Sequence, residues 1–177
     1  MLRDTGTSRS CSLAIEVQPY YKRGSRNVRE PLLQIARFKL SGVMMTSALF
    51  KKMNLKDQSE IVVVNAPASF EPELATLGSV SVVRDPGKVK KIEFAIAFAI
   101  TQTELDRASK ALSAKAEGDA ILWIAYPKGT SKRYKCEFNR DSGWTVLSDA
   151  GFESVRMVAI DEDWSALRFR RGEYVKR

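Results

Sequence analysis

Six residues carry the side chains that could do chemistry where one sheet edge would gather them: Asn65, Ser69, Thr101, Tyr126, Lys128 and Trp164. An amide, two hydroxyls, a phenol, an ammonium and an indole make a recognition set rather than a reaction set. Asn65 would hydrogen-bond a planar group, Lys128 would hold an anion as a point charge, and Tyr126 and Trp164 would offer stacking faces. No catalytic residue emerges. The chain has no histidine, which removes Ser-His-Asp and Cys-His catalysis and the commonest metal ligand. Cys11 and Cys136 fit no paired zinc spacing. Cys136 lies near Arg133 and Lys135, which could lower its pKa, but it has no histidine base. Asp161, Glu162 and Asp163 are adjacent in a tight turn and cannot converge on one centre, and no Asp-x-Asp-x-Asp-Gly pattern supports calcium. No metal is expected.

The bland alternatives weigh against several of the six. Thr101 opens Thr-Gln-Thr-Glu, a capping box, and reads first as a helix cap. Ser69 can cap a helix, and Trp164 can pack under a hairpin. Asn65 and Lys128 are evenly balanced between structure and ligand. The run Lys128, Lys132, Arg133 and Lys135, with Tyr134, has the composition of a phosphate or single-strand nucleic-acid patch. With Glu137 and Asp141 close behind, it reads better as a solvated loop.

Charge points the same way. The formal net charge is +8, but residues 1–45 hold 8 Lys/Arg against 3 Asp/Glu, and the remaining residues hold 21 against 18. The body is only mildly basic, so general attraction to phosphate backbones is a weak argument, and a nucleic-acid partner is not expected. The longest strongly apolar run, Phe94 to Ile100, is far short of the roughly 20 residues a membrane helix needs. A cytoplasmic location with reduced thiols is the simplest expectation.

Those residues must be positioned by a regular scaffold. Compact apolar runs at Glu60–Val64, Val80–Val83, Ile92–Ile100, Ala120–Lys128, Ser154–Ile160 and Trp164–Arg171 predict strands. Helices are predicted over Ser47–Leu55, Ser69–Leu77, Thr101–Ala116 and Asp141–Ala150, with Gly78, Gly118 and Gly151 as stops. Alternating strand and helix with continuous apolar strands predicts a three-layer α/β, Rossmann-like fold. Its sheet is mostly parallel and is closed by a C-terminal antiparallel hairpin. In the last strand, Leu167 and Phe169 alternate with Arg168 and Arg170, which predicts a position near a sheet edge. Residues 1–44 lack this pattern and are expected to be a disordered or mis-annotated extension. Residues 45–177 are expected to be the single α/β domain.

This organisation resembles the class I S-adenosylmethionine-dependent methyltransferase fold. More narrowly, the chain resembles a family of small bacterial proteins, the domain of unknown function numbered three-zero-five-two. The likeness rests on Asn65-Ala66-Pro67 after the first strand, Leu122-Trp123 followed by Pro127-Lys128, and Asp161 followed by Trp164-Ser165, over roughly residues 47–171. It implies the fold and supplies no activity and no catalytic residues. Methyltransferases place a glycine-rich turn after the first strand; here the turn is Asn65-Ala66-Pro67-Ala68-Ser69, without glycine, and Pro67 lacks an N–H donor. Asp85, in a ribose-binding position, reads as the head of an Asp-Pro-Gly turn. The region from Asp85 to Lys91 is short enough to omit one strand-helix unit. The expectation is therefore a non-catalytic module for a small anionic or nucleotide-like ligand or a partner. S-adenosylmethionine is disfavoured as cofactor, and a methyltransferase with an atypical cofactor loop, or a nucleic-acid-binding module, is the alternative.

Overall fold

A computed structural model describes residues 47–176. The boundary expected near residue 44 lies outside them. The order is α1 (Ala48–Lys52), β1 (Glu60–Val64), α2 (Glu71–Ala75), β2 (Ser81–Val83), β3 (Ile92–Phe98), α3 (Gln102–Ser113), β4 (Ala116–Pro127), α4 (Thr145–Asp149), β5 (Phe152–Ala159) and β6 (Trp164–Arg171). They form a mixed α/β fold around one six-stranded sheet in the order β2-β1-β3-β4-β6-β5. The first four strands are parallel, β6 runs antiparallel to β4, and β5 runs antiparallel to β6.

Side-chain alternation along the strands builds one core on each face. Leu122, Ile124 and Tyr126 of β4 join Leu105 and Leu112 of α3, Leu147 of α4, and Leu167 and Phe169 of β6. Ile121, Trp123 and Ala125 join Phe50 and Met53 at α1, Phe70 and Leu74 at α2, and Trp164 and Ala166 of β6. Because β4 is buried on both faces, it reads as an unbroken apolar run rather than an alternating one.

The structure refines four expectations. First, β6 lies near the sheet edge as expected, paired to β4 on one side and to the edge strand β5 on the other. Leu167 and Phe169 face the α3 core, while Arg168 and Arg170 lie on the other face, where Arg170 forks onto Asp119. Second, α3 ends at Ser113 and β4 begins at Ala116. Gly118, expected as a helix stop, sits at φ +55° inside β4, where the register with β3 jumps from Ile92↔Ala116 to Phe94↔Ile121. The Lys115 ammonium anchors this corner by donating to the carbonyls of Pro86, Gly87 and Val89. Third, α4 starts at Thr145 rather than Asp141, because Gly143 holds φ +100° and Asn139 and Ser142 form a bridge instead. Fourth, Ser69 caps nothing: Pro67 opens a 3-10 turn over Ala68–Phe70, and α2 follows from Glu71 with Pro72 in its first turn.

Candidate functional site

The chain order reverses direction at β1: β2 is laid on one side of it and β3 on the other. In open α/β sheets, ligands sit beyond the carboxyl ends of the strands at such a point. The register Val64↔Ala97 puts Asn65, the residue after β1, beside the end of β3. Asn65 is exposed and adopts φ +53°, the left-handed conformation usually reserved for glycine. Asn tolerates it better than other side chains. The turn thus keeps a glycine-like backbone without a glycine, although Pro67 still subtracts a donor.

Asp85 closes β2 at the same edge. Its Oδ1 accepts the Gly87 N–H at 2.7 Å, the turn expected from Asp-Pro-Gly, and its Oδ2 has no hydrogen-bond partner among the described residues.

Thr101 caps α3. Its hydroxyl accepts the Glu104 N–H, and the Glu104 carboxylate accepts the N–H groups of Ile100 and Thr101 at 2.8 and 3.1 Å. Those two backbone donors hold the Glu104 pKa below its ordinary value of 4.5. A group depressed in the folded state contributes stability above its unfolded pKa and loses it as pH falls through the folded one. Glu104→Gln should therefore be less stable than wild type at pH 7, with the gap closing as pH drops from about 5. Urea titrations at several pH values measure it, and a pH-independent gap would contradict the assignment.

The remaining candidates lie beyond β4. Seventeen residues, 128–144, loop across the sheet edge and are fastened at both ends. The Lys128 N–H donates to the Asp163 carbonyl at 2.7 Å and its ammonium donates to the Asp161 carbonyl at 2.6 Å. The Ser131 hydroxyl donates to Asp163 Oδ1. Glu137 accepts the Gln102 N–H at 2.8 Å, and Gln102 Nε2 donates to the Gly143 carbonyl at 2.8 Å. Asp161, in turn, spends its carboxylate on the N–H groups of Asp163 and Trp164. Lys128 is thus partly a clasp on the β5–β6 turn.

The loop roofs a cavity of about 1000 Å³ on the α3 side of the sheet. Its floor holds Tyr126 and Ser165, register partners on β4 and β6, together with Met157 and Ala159 of β5. Tyr126 is 6% exposed; among the described residues its hydroxyl reaches only the Met157 sulfur, at 3.5 Å, and burial raises its pKa. Phe138 and Trp144 pack on its ring at 6.0 and 5.8 Å between centroids. Cys136 also lines the cavity, and burial pushes its thiol pKa up, the opposite of an activated thiolate.

Of the six candidates, Tyr126 and Lys128 share this cavity, while Asn65, Ser69 and Thr101 do not line it. Trp164 is 3% exposed, wedged between Phe98 and Tyr134 with centroids 5.2 Å from each. It is core, not a stacking face. Tyr134 is likewise turned onto Trp164, so the basic-aromatic run offers Lys132, Arg133 and Lys135 to solvent without a free ring beside them. Ser165 is the residue that sequence reading passed over. Its signal was only its place after Trp164 in a strand whose pairing partner was unknown. Among the described residues, no group of three or more metal-ligating side chains gathers, and no helix is long and apolar enough to cross a membrane.

No protein-family model and no curated protein matches the chain. Among solved structures, it resembles an S-adenosylmethionine-dependent methyltransferase from Aquifex aeolicus, with 14% identity, 78% of this chain and 97% of that one covered, and a TM-score of 0.51. Lower similarity is found to magnesium protoporphyrin IX methyltransferase from Synechocystis with bound SAH (12% identity, 86% and 90% covered, TM-score 0.46). It is also found to the N-methyltransferase NodS from Bradyrhizobium japonicum (11% identity, 81% and 98% covered, TM-score 0.46). The first likeness establishes a Rossmann-like, methyltransferase-type fold, in agreement with the sheet order.

Proposed function

We propose that residues 47–176 form a methyltransferase-type domain that binds S-adenosylmethionine at the carboxyl edge of β1 and β2, using Asn65 where related folds use glycine. The observation that carries this reading is the left-handed Asn65 at the point where the strand order reverses. A glycine-free turn argues against the cofactor only if the backbone geometry needs glycine, and Asn65 takes that geometry. Asn65 and the uncommitted Oδ2 of Asp85 are the groups that would hold the ligand, the carboxylate by accepting from ribose hydroxyls. The bound group would supply an electrophilic methyl; the chain's own contribution is binding and orientation. Membership of the family numbered three-zero-five-two, and a cytoplasmic location, belong to the same proposal.

Calorimetry of the full chain with S-adenosylmethionine should give a micromolar Kd. Asn65→Ala should weaken it tenfold or more, because alanine loses the amide and strains the left-handed turn, while Ser69→Ala should leave it unchanged. No heat and no rise in melting temperature at millimolar ligand would sink the proposal. At a hundredfold excess over Kd, a ligand specific to the folded state should add about 2.7 kcal/mol.

A second reading is favoured by one observation: Pro67 removes a backbone donor where a cofactor carboxylate or phosphate would seek one. It keeps the fold and makes the domain a non-catalytic module for a small anionic or nucleotide-like compound. Stabilisation by nucleotides but not by S-adenosyl compounds selects it.

A further inference from the structure

We infer that the cavity beneath the 128–144 loop binds an aromatic carboxylate bearing a phenolic hydroxyl. This site is separate from the Asn65 edge, and the inference does not depend on S-adenosyl binding there.

The floor argues for a hydroxyl. Ser165 is 7% exposed and lines the cavity, yet its Oγ makes no hydrogen bond to another described residue. Across the strand pair, the Tyr126 hydroxyl has only a thioether, a weak acceptor. The two residues are register partners and each is more than nine-tenths buried, yet the Ser165 hydroxyl is not sealed in the core and opens onto the cavity beside that of Tyr126. A ligand hydroxyl, which both donates and accepts, can pair with both in place of solvent.

The walls argue for an aromatic body. Tyr126, Phe138 and Met157 give flat and polarisable surface, and the volume suits a molecule larger than one ring.

The rim argues for an anion. Lys128, Lys135 and Arg140 line the cavity, and Lys135 and Arg140 are exposed at its mouth. The one carboxylate in the lining, Glu137, is engaged with the Gln102 N–H. The Lys128 ammonium uses one of its three donors on Asp161 and keeps two. Hydroxyls deep and cations shallow define a ligand with a phenol at one end and a carboxylate at the other.

The probe is 4-hydroxycinnamate, titrated into the full chain and followed by calorimetry. Cinnamate lacks the hydroxyl and 4-hydroxycinnamyl alcohol lacks the charge; each should bind at least fivefold more weakly. Ser165→Ala and Tyr126→Phe should each weaken the acid about tenfold and narrow its preference over cinnamate. Lys135→Gln with Arg140→Gln should weaken it and flatten its salt dependence. Since Ser165 and Tyr126 are buried, a second variant avoids the core. Ala159 is exposed and lines the cavity from β5, and Ala159→Trp should abolish binding at an unchanged melting temperature. No saturable binding at millimolar acid, equal affinity for cinnamate, or full binding by Ala159→Trp would each overturn the inference. Binding of the acid without binding of S-adenosylmethionine would count against the proposed function alone.

Discussion

Replacing Trp123 with alanine should destabilise the domain by about 3–5 kcal/mol, a large fraction of what a domain this size has. Trp123 is fully buried in the β4 run Ile121–Ala125 and is the largest of the side chains with no exposed surface. Its indole N–H donates to the Met53 carbonyl at 2.9 Å, tying the sheet to the end of α1. Alanine removes both the packing and the tether. Trp123→Phe separates them: it keeps most of the apolar volume and leaves a buried carbonyl unpaired, for about 1–3 kcal/mol. Urea unfolding of the two variants measures both terms. A loss below 1 kcal/mol for Trp123→Ala would mean that β4 is not the packed centre described.

Gly143→Ala should cost about 2–4 kcal/mol from two sources. Its backbone holds φ +100°, and an added Cβ would lie 2.7 Å from Phe138 Cβ and 2.9 Å from Gln102 Oε1. Neither neighbour can retreat easily: Phe138 is buried against Tyr126, and Gln102 bridges Asp106 and the Gly143 carbonyl. Gly151→Ala is the matched control. It also has a positive φ, +80°, but a Cβ there meets nothing within 4 Å. It should lose only the conformational part, about 1–2 kcal/mol. Equal losses at the two positions would mean that the loop yields to the methyl group. The Gly143 variant should also be cut faster by protease between residues 128 and 144, because its closing contact has been forced apart.

The architecture was largely legible from the strands. Uninterrupted apolar runs such as Ile61-Val62-Val63 and Ile121-Leu122-Trp123-Ile124 can only be buried on both faces, which forces a covered parallel sheet. Local rules failed where a long-range contact outweighed them. Gly118 has the chemistry of a helix stop, but Lys115 clamps the chain onto the Pro86–Val89 carbonyls and turns it into the strand early. Asp141-Ser142 looks like a helix start, but Gly143 is held by Gln102, 41 residues away. The arginines of β6 signalled a strand near the edge, but pairing order is invisible to alternation, so which of the two closing strands is outermost could not be read; a strand one place in from the edge, with Arg170 paired to Asp119 on its outer face, has the same pattern.

The candidate site was legible in part, and for a physical reason. Lys128 and Tyr126 could be placed because they stand at the end of the longest buried strand segment. Ser165 could not, since its value comes from standing opposite Tyr126, and strand register is not written in either segment alone. Asn65 was singled out for its amide, whereas what the structure adds is its left-handed dihedral angle. The absence of glycine suggested a lost turn, whereas Asn65 itself adopts a left-handed backbone.

The position of β6 bears on how the domain comes into being. It is the last strand in the chain, yet it occupies a slot between β4 and β5. During synthesis, β1 to β4 can associate as they emerge, and β5 can appear beside them, but β5 has nothing to pair with until residues 164–171 are free. A nascent chain therefore carries an open seam alongside the apolar run of β4 until residues 164–171 are released. Chaperone engagement and premature aggregation should both concentrate in that interval, and any truncation before Arg171 should make the exposure permanent.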